Sequence, residues 1–339
     1  MQTHTIPGTR IDLTVLGFGG APIGNLYRQM SDADAIGAVE AAWKHGIRYF
    51  DTAPHYGVGL SERRLGEALR GVPRDDYVLS TKVGRLLRPN GNPGGKDAEG
   101  FDVSDELVRV RDYSRDGVLR SIEESLARLG TDHVEIVYIH DPDDYWPEAL
   151  EGAVPALSQL RDEGVIGAYG AGMNQSEMLH RFVTETDVDV IMLAGRYTLL
   201  EQGAKDALLP ACAERGVGIV NVSVFNSGLL SVDRPAPGAT YNYAPAPAEL
   251  LERANLLADI CERHGTTLPA AALAFSFREP IVTSTLVGVR SAAEVERNVA
   301  LAAQGVPDSL WTELQERGLV DTASNPGAPE SPAPKGTAR

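Results

Sequence analysis

IRYFDTAPHYGVGLSERRLGEALRG, residues 47–71, decides how this chain folds. Ile47–Phe50 is short, rich in Ile, Tyr and Phe, and reads as a strand that stops at Asp51. Pro54, Gly57 and Gly59 break the next stretch into a loop. LSERRLGEALRG then carries helical spacing, with Ser61 predicted as its N-cap and Gly71 as its terminator. Strand, loop and helix make one unit.

The unit recurs along most of the chain. Strands are predicted at Val15–Phe18, Ile47–Phe50, Tyr77–Thr81, Val134–Ile139, Ile166–Gly170, Val190–Leu193, Ile219–Val222 and Thr285–Val287. Between them, SDADAIGAVEAAWKHG has Ser31 or Asp32 as cap and Gly46 as stop, and SRDGVLRSIEESLARLG places Val118, Leu119, Ile122, Leu126 and Leu129 on one face before Gly130. Further helices are predicted at Pro147–Glu163, Ser176–Glu185, Gly203–Arg215, Ala248–His264 and Ser291–Ala300. Such alternation implies parallel strands joined by helical crossovers. At this length the expected fold is α/β, a closed (β/α)8 TIM barrel with an N-terminal extension and long loops over the C-terminal face. An open doubly wound sheet is the alternative, but GFGGAP at Gly17–Pro22 does not fit its GxGxxG fingerprint. Arg85–Arg115, rich in Gly, Asn and Asp, is expected to run over the barrel mouth, and Asp233–Pro247 to form a second excursion. Residues 1–322 are expected to form a single domain, and ASNPGAPESPAPKGTAR, 323–339, a disordered tail.

Of 339 residues, 43% are hydrophobic and 23% charged, enough for a full-sized core. The net charge of −16, without a Lys/Arg run, argues against a nucleic-acid partner, because phosphate contacts dominate such affinity. Cys212 and Cys261 fall in separate predicted helices and read as packing residues of a reducing compartment. MQTHTIPGTRID has no apolar core segment, and no stretch approaches the ~18 apolar residues of a membrane span, so a cytoplasmic location is expected. HExxH, CxxC and GxSxG are absent, so neither a metal site nor a serine nucleophile is expected.

The strand ends carry the chemistry. Asp51, Lys82 and His140 close predicted strands two, three and four, and Tyr56 follows the second. All four fall on the C-terminal rim, where barrel enzymes place their reactive groups. A free phenol has a pKa of about 10, too high for proton exchange near neutrality, and a neighbouring ammonium favours the phenolate. A carboxylate beside that ammonium keeps it charged, and an imidazole can orient a substrate oxygen. The set suits C–OH/C=O interconversion.

DTAPHYG (Asp51–Gly57), STK (Ser80–Lys82) and YIHDPD (Tyr138–Asp143) resemble the aldo-keto reductase superfamily, and LGFGGAPIG, RSIEESLARLG and GVRSAAEVERN extend the resemblance over residues 11–301. It implies Tyr56 as the acid–base, Lys82 and Asp51 tuning it, and His140 at the substrate carbonyl. It also implies a nicotinamide cofactor, with NAD preferred and NADP possible. Asn174 would hold the carboxamide and Tyr197 would stack on the ring, although Met173 and Ala194 stand where the family has Ser and Gln. SVFNSGLL resembles the pyrophosphate loop, giving Ser223, Phe225, Asn226, Gly228 and Leu230; Gly288, Arg290, Glu294 and Asn298 would meet the adenosine end. Independently of the resemblance, loops after strands seven and eight are a favoured phosphate site in barrels. Glu294 stands where NADP-dependent members carry a basic residue, and Arg290 is expected to offer a phosphate another contact.

APHYG, RYTLLEQ and HDPDDYW are most similar to the bacterial L-fucose or D-threo-aldose 1-dehydrogenase and pyridoxal 4-dehydrogenase branch. This implies a small sugar or aldehyde substrate, oxidised at an anomeric carbon to a lactone. From their places in the chain, His55 beside Tyr56 is expected to line the pocket, and Tyr145 and Trp146 after strand four to give it an apolar wall. A pyridoxal dehydrogenase, a general aldehyde or ketone reductase, and a non-catalytic nucleotide-binding regulatory subunit are the other readings.

Overall fold

The computed structural model describes residues 1–242 and 244–320, so the predicted tail at 323–339 lies outside the described residues. Eight parallel strands close into a barrel in sequence order: β1 (Leu16–Gly19), β2 (Tyr49–Asp51), β3 (Val78–Val83), β4 (Ile136–His140), β5 (Ala168–Met173), β6 (Val190–Ala194), β7 (Gly218–Val222) and β8 (Val282–Gly288). All eight were legible as Val/Ile/Tyr-rich runs, with ends displaced by at most three residues.

Period-two alternation sorts their side chains. Tyr49, Ile136, Tyr138, Val190, Met192 and Val220 fill the barrel interior, while Phe50, Val137, Ile139, Ile191 and Ile219 pack outward against the helices. The N-terminal extension is an antiparallel hairpin, Thr3–Thr5 with Asp12–Thr14, whose Ile6 and Leu13 join the interior cluster. That hairpin plugs one end, leaving the C-terminal rim as the open one.

Helices follow the strands largely as read. Ser31 caps Asp32–Lys44, and Ser114 caps Arg115–Leu129, which ends on left-handed Gly130. Ser61 does not cap its helix. The loop runs left-handed through Gly57, Val58 and Gly59, so Leu60–Leu69 starts two residues earlier with Gly59 at its cap. Ser61 is instead buried, donating to Gly20 O at 2.7 Å and sharing a bond with Thr52 Oγ1 at 2.8 Å. Gly57 has no room for a side chain, since a Cβ there would meet Gly24 O at 2.2 Å. The predicted Pro147–Glu163 helix divides around a wider π-turn at Ala149–Ala153, and Gly203–Arg215 divides into a short turn and Leu208–Arg215. Two further helices, Leu268–Phe277 and Asp308–Glu316, were not predicted. LPAAALAFSF is buried nearly all round and so carries no amphipathic period.

The long excursion after β3 is a hairpin, Arg85–Pro89 paired with Leu107–Arg111. The second excursion contains a two-residue ribbon, Thr240–Tyr241 with Ala244–Pro245. Among the described residues, no helix is long and apolar enough to cross a membrane. Cys212 and Cys261 are buried and unpaired.

Two glycines in helices should respond oppositely to Ala. A Cβ at Gly66 would stand 2.1 Å from Leu129 O on the neighbouring helix, so Gly66→Ala should cost ~1–3 kcal/mol in denaturant unfolding. Gly37 faces open space, so Gly37→Ala should stabilise by ~0.5–1 kcal/mol.

Candidate active site

Asp51, Lys82 and His140 share the inward face of adjacent strands, because Asp51 pairs in register with Ser80 and Lys82 with Tyr138. Lys82 Nζ donates to Asp51 Oδ2 at 2.6 Å and to Thr52 O at 3.0 Å. Ser80 Oγ donates to Asp51 Oδ1 at 2.7 Å. Both charged side chains are almost wholly buried. Burial pushes the Asp51 carboxyl up and the Lys82 ammonium down, and their mutual attraction opposes both shifts. Lys82 Nζ lies 4.8 Å from the centre of the Tyr56 ring, and the His140 ring stands perpendicular to that phenol at 5.8 Å. Tyr56 and the three strand-end residues therefore form one cluster.

His140 is held well below the ordinary histidine value, first by burial and then by Arg85, Lys82, His55 and Arg111. Its imidazole is neutral at physiological pH, able to donate one hydrogen bond and accept another. His55 faces it at 5.4 Å between ring centres and is pushed down to about 2, by burial and then by Arg85 and Arg109. His55 therefore lies beside the rings of both Tyr56 and His140.

The hairpin after β3 roofs this cluster, as its composition suggested. Phe101, from the loop joining its strands, sits 6.1 Å from the Tyr56 ring and 5.1 Å from His55. Sequence reasoning missed Phe101; nothing local distinguishes it from a loop residue. The roof is fastened at several points. Arg109 forms a buried pair with Asp97 and donates to His55 O at 2.7 Å. Arg85 pairs with Asp141, and Tyr113 donates to His140 O at 2.9 Å. On its other edge Phe101 bridges Leu26, and Tyr27 N donates to Gly100 O at 2.8 Å.

Tyr145 and Trp146 do not form the apolar wall expected of them. Tyr145 stacks on Tyr113 at 5.5 Å beneath the Arg111 guanidinium, at the rim. Trp146 turns away to the helical layer, edge-on to Phe182 at 4.8 Å and covered by Arg181.

On the opposite side of the mouth, a cleft of about 390 Å³ is lined by Asn174, Ser223, Phe225, Asn226, Gly228, Gly288, Arg290, Glu294 and Asn298. Most of the predicted cofactor residues therefore meet on one surface. Two do not. Tyr197 is buried behind the barrel wall against Phe275, ring centres 4.9 Å apart, and Leu230 is fully buried in the core. Tyr197 precedes the cleft in sequence, but its side chain takes the outward direction, where Phe275 and Trp311 give it an apolar partner. Ala194 offers the cleft only a methyl group, and Met173 points into the outer core. Pro22, Tyr27, Asn242 and Arg297 also line it and were not foreseen; Arg297 adjoins Asn298, the single sequence signal among them.

The cleft suits a dinucleotide. Ser223, Asn226, Ser227 and Gly228 adopt left-handed backbone, and the turn closes on itself through Asn226 N to Ser223 O at 2.9 Å and Gly228 N to Phe225 O at 3.0 Å. The Oδ1 atoms of Asn226 and Asn298 are buried without a protein partner, as acceptors awaiting a ligand would be. Glu294 accepts from Arg290 N at 2.7 Å and, with Ser291, caps the helix Ala292–Ala303. Arg290 does not reach toward a phosphate. Its guanidinium donates to Leu26 O at 2.7 Å and Arg28 O at 2.6 Å, holding the loop after β1. Among the described residues, no group of three or more His, Cys, Asp or Glu could hold a metal ion.

Residues 15–317 match the model of the aldo/keto reductase family. D-threo-aldose 1-dehydrogenase of a Pseudomonas species is 48% identical over 91% of this chain and 95% of its own length. Pyridoxal 4-dehydrogenase of Microbacterium luteolum is 39% identical over 94% of this chain and 98% of its own. Among solved structures, an aldo-keto reductase from Bacillus halodurans superposes with a TM-score of 0.74 at 24% identity, covering 96% of this chain and 98% of the other, a likeness of fold.

Arg109 and Asp97 are both nearly inaccessible, so removing the guanidinium strands a buried carboxylate. Arg109→Met should loosen the roof alone: hydrogen exchange at Tyr27 and Asp102 amides should accelerate at least ~10-fold, ~1.4 kcal/mol, with the barrel strands unchanged.

Proposed function

Because this chain belongs to the aldo/keto reductase family, an oxidoreductase family that uses nicotinamide cofactors, we propose that it oxidises an aldose of the L-fucose or D-threo type at the anomeric carbon, giving the lactone. The observation that carries this reading is the gathering of Tyr56, Lys82, Asp51 and His140 at one barrel mouth, in a chain 48% identical to a D-threo-aldose 1-dehydrogenase.

The residues divide the work by chemistry. Tyr56, as phenolate, takes the proton of the anomeric hydroxyl. Lys82 favours that phenolate through its ammonium, 4.8 Å from the ring centre, and Asp51 keeps the ammonium charged and in place. His140, neutral, hydrogen-bonds the reacting oxygen without competing for its proton. Phe101 and the hairpin roof hold water away from the pocket. A nicotinamide dinucleotide bound in the cleft supplies the hydride acceptor. Asn174 would hold its carboxamide, the Ser223–Gly228 turn its pyrophosphate, and Asn298 with Glu294 its adenosine end.

A second reading, oxidation of the aldehyde-bearing ring of pyridoxal, draws on the relative of that activity at 39% identity. A non-catalytic nucleotide-binding role gains nothing from a site that keeps the whole acid–base set. NAD⁺ reduction measured over L-fucose, D-arabinose, L-galactose and pyridoxal separates the readings: turnover on the sugars is expected, and turnover on pyridoxal alone overturns the first. On the active substrate, Tyr56→Phe should lower kcat at least ~10²-fold while NADH binding, followed by fluorescence, persists.

For the cofactor we infer a preference for NAD over NADP. Glu294 lines the cleft, and with the adenosine end bound there its carboxylate would repel a 2′-phosphate and accept hydrogen bonds from ribose hydroxyls, while Arg290 is committed to the loop after β1. Glu294→Arg should move the NADP⁺/NAD⁺ ratio of kcat/KM at least tenfold toward NADP⁺, ~1.4 kcal/mol. An unchanged ratio would leave Glu294 as a helix cap.

A further inference from the structure

Each of the three strand-end residues has a hydroxyl two places upstream: Tyr49 before Asp51, Ser80 before Lys82, Tyr138 before His140. A strand's period of two puts each pair on the same inward face. In the barrel these hydroxyls join into one chain beneath the ion pair. Tyr138 OH lies 3.1 Å from Tyr49 OH, Tyr49 OH lies 3.1 Å from Ser80 Oγ, and Ser80 Oγ donates to Asp51 Oδ1 at 2.7 Å. All three hydroxyl side chains are fully buried.

Chemistry gives the chain a direction. An ionised carboxylate only accepts, so Ser80 donates to Asp51, Tyr49 donates to Ser80, and Tyr138 donates to Tyr49. Burial, then the Asp51 charge, pushes the Tyr49 phenol up, and burial does the same to Tyr138, so both stay protonated. The chain is therefore a line of aligned dipoles and not a route for protons. Its target is the weak point of the site, because burial drives the Asp51–Lys82 pair toward its uncharged form. Among the described residues, the side chains that donate to Asp51 are Lys82 and Ser80. The other charges acting on the pair come from Asp141 beyond β4 and Glu62 on the Leu60–Leu69 helix, both favouring the ammonium. Arg85, Arg111 and His55 act on His140.

We propose that Ser80, backed by Tyr49 and Tyr138, is a positioning residue that sets the acid–base strength of Tyr56 by holding Asp51 ionised and Lys82 charged. This rests on Tyr56 as the proton carrier. Without the Ser80 bond the carboxylate becomes more basic and draws the shared proton from Lys82. Tyr56 then loses its neighbouring positive charge and ionises at higher pH.

The test is an ultraviolet difference titration of tyrosinate in the full-length protein without substrate, the Tyr56 signal being obtained by subtracting Tyr56→Phe. The pH profile of sugar oxidation and the melting temperature are measured alongside. Ser80→Ala should raise the Tyr56 midpoint by at least about one pH unit, the worth of a hydrogen bond to a charged group. Tyr49→Phe, which keeps the ring, should raise it by less, and Tyr138→Phe least. Where Ser80→Ala fails to fold, Tyr49→Phe decides alone. A lowered melting temperature with an unmoved midpoint would make the hydroxyls structural only and overturn the proposal. A midpoint that moves in a protein inactive on aldoses would refute the substrate reading and leave this inference standing.

Discussion

Everything at the barrel mouth depends on the buried ion pair of Lys82 and Asp51, closed at 2.6 Å. Taking two charges out of water costs several kcal/mol per ion, and their attraction offsets that only where the remaining donors and acceptors find partners. Thr52 O and Ser80 Oγ are those partners. They are available because Asp51 faces Ser80 in the strand register and Lys82 faces Tyr138. A slip of one residue would turn the whole set out of the barrel. The hydrophobic interior below and the charge pair above thus specify the same register.

The neighbours of the pair are held by burial and by a ring of cations. The protein carries a net charge of −16, yet its mouth is ringed by Arg85, Arg109 and Arg111, each paired or bonded to the segments it crosses. Burial first, and then these cations with Lys82 beneath, disfavour a charged imidazole, and both His55 and His140 are held neutral. A neutral His140 orients an oxygen; proton exchange falls to the phenol beside the ammonium. The arginines serve a second end, since the same contacts fasten the hairpin that carries Phe101 over that phenol.

The barrel divides its rim between β2–β4, which present the ionisable cluster, and β7–β8, whose loops build the cleft. The two halves are connected through the loop after β1: Leu26 bridges Phe101 of the roof, and its carbonyl takes a hydrogen bond from Arg290 beside the cleft. An arginine at the start of a helix reads in sequence as an anion contact, but here it is a strut between the two halves.

Strand period, turn residues and strand-end chemistry were legible from the sequence alone. They sufficed for eight strands, for the closed barrel, and for Asp51, Tyr56, Lys82 and His140 at one rim, because a strand's inward face follows from alternation and its end from the residue that breaks it. Even the upstream hydroxyls at Tyr49, Ser80 and Tyr138 stand in the sequence at that spacing. The roof, the orientation of loop side chains and the use of each arginine were not legible. Tyr197 and Trp146 turned to apolar partners behind the rim, Ser61 gave up a cap for a buried bond to Gly20, and Phe101 reached Tyr56 from a distant loop. Loops have no period to fix where a side chain points, so its direction is settled by which buried partner, far along the chain, folding brings within reach.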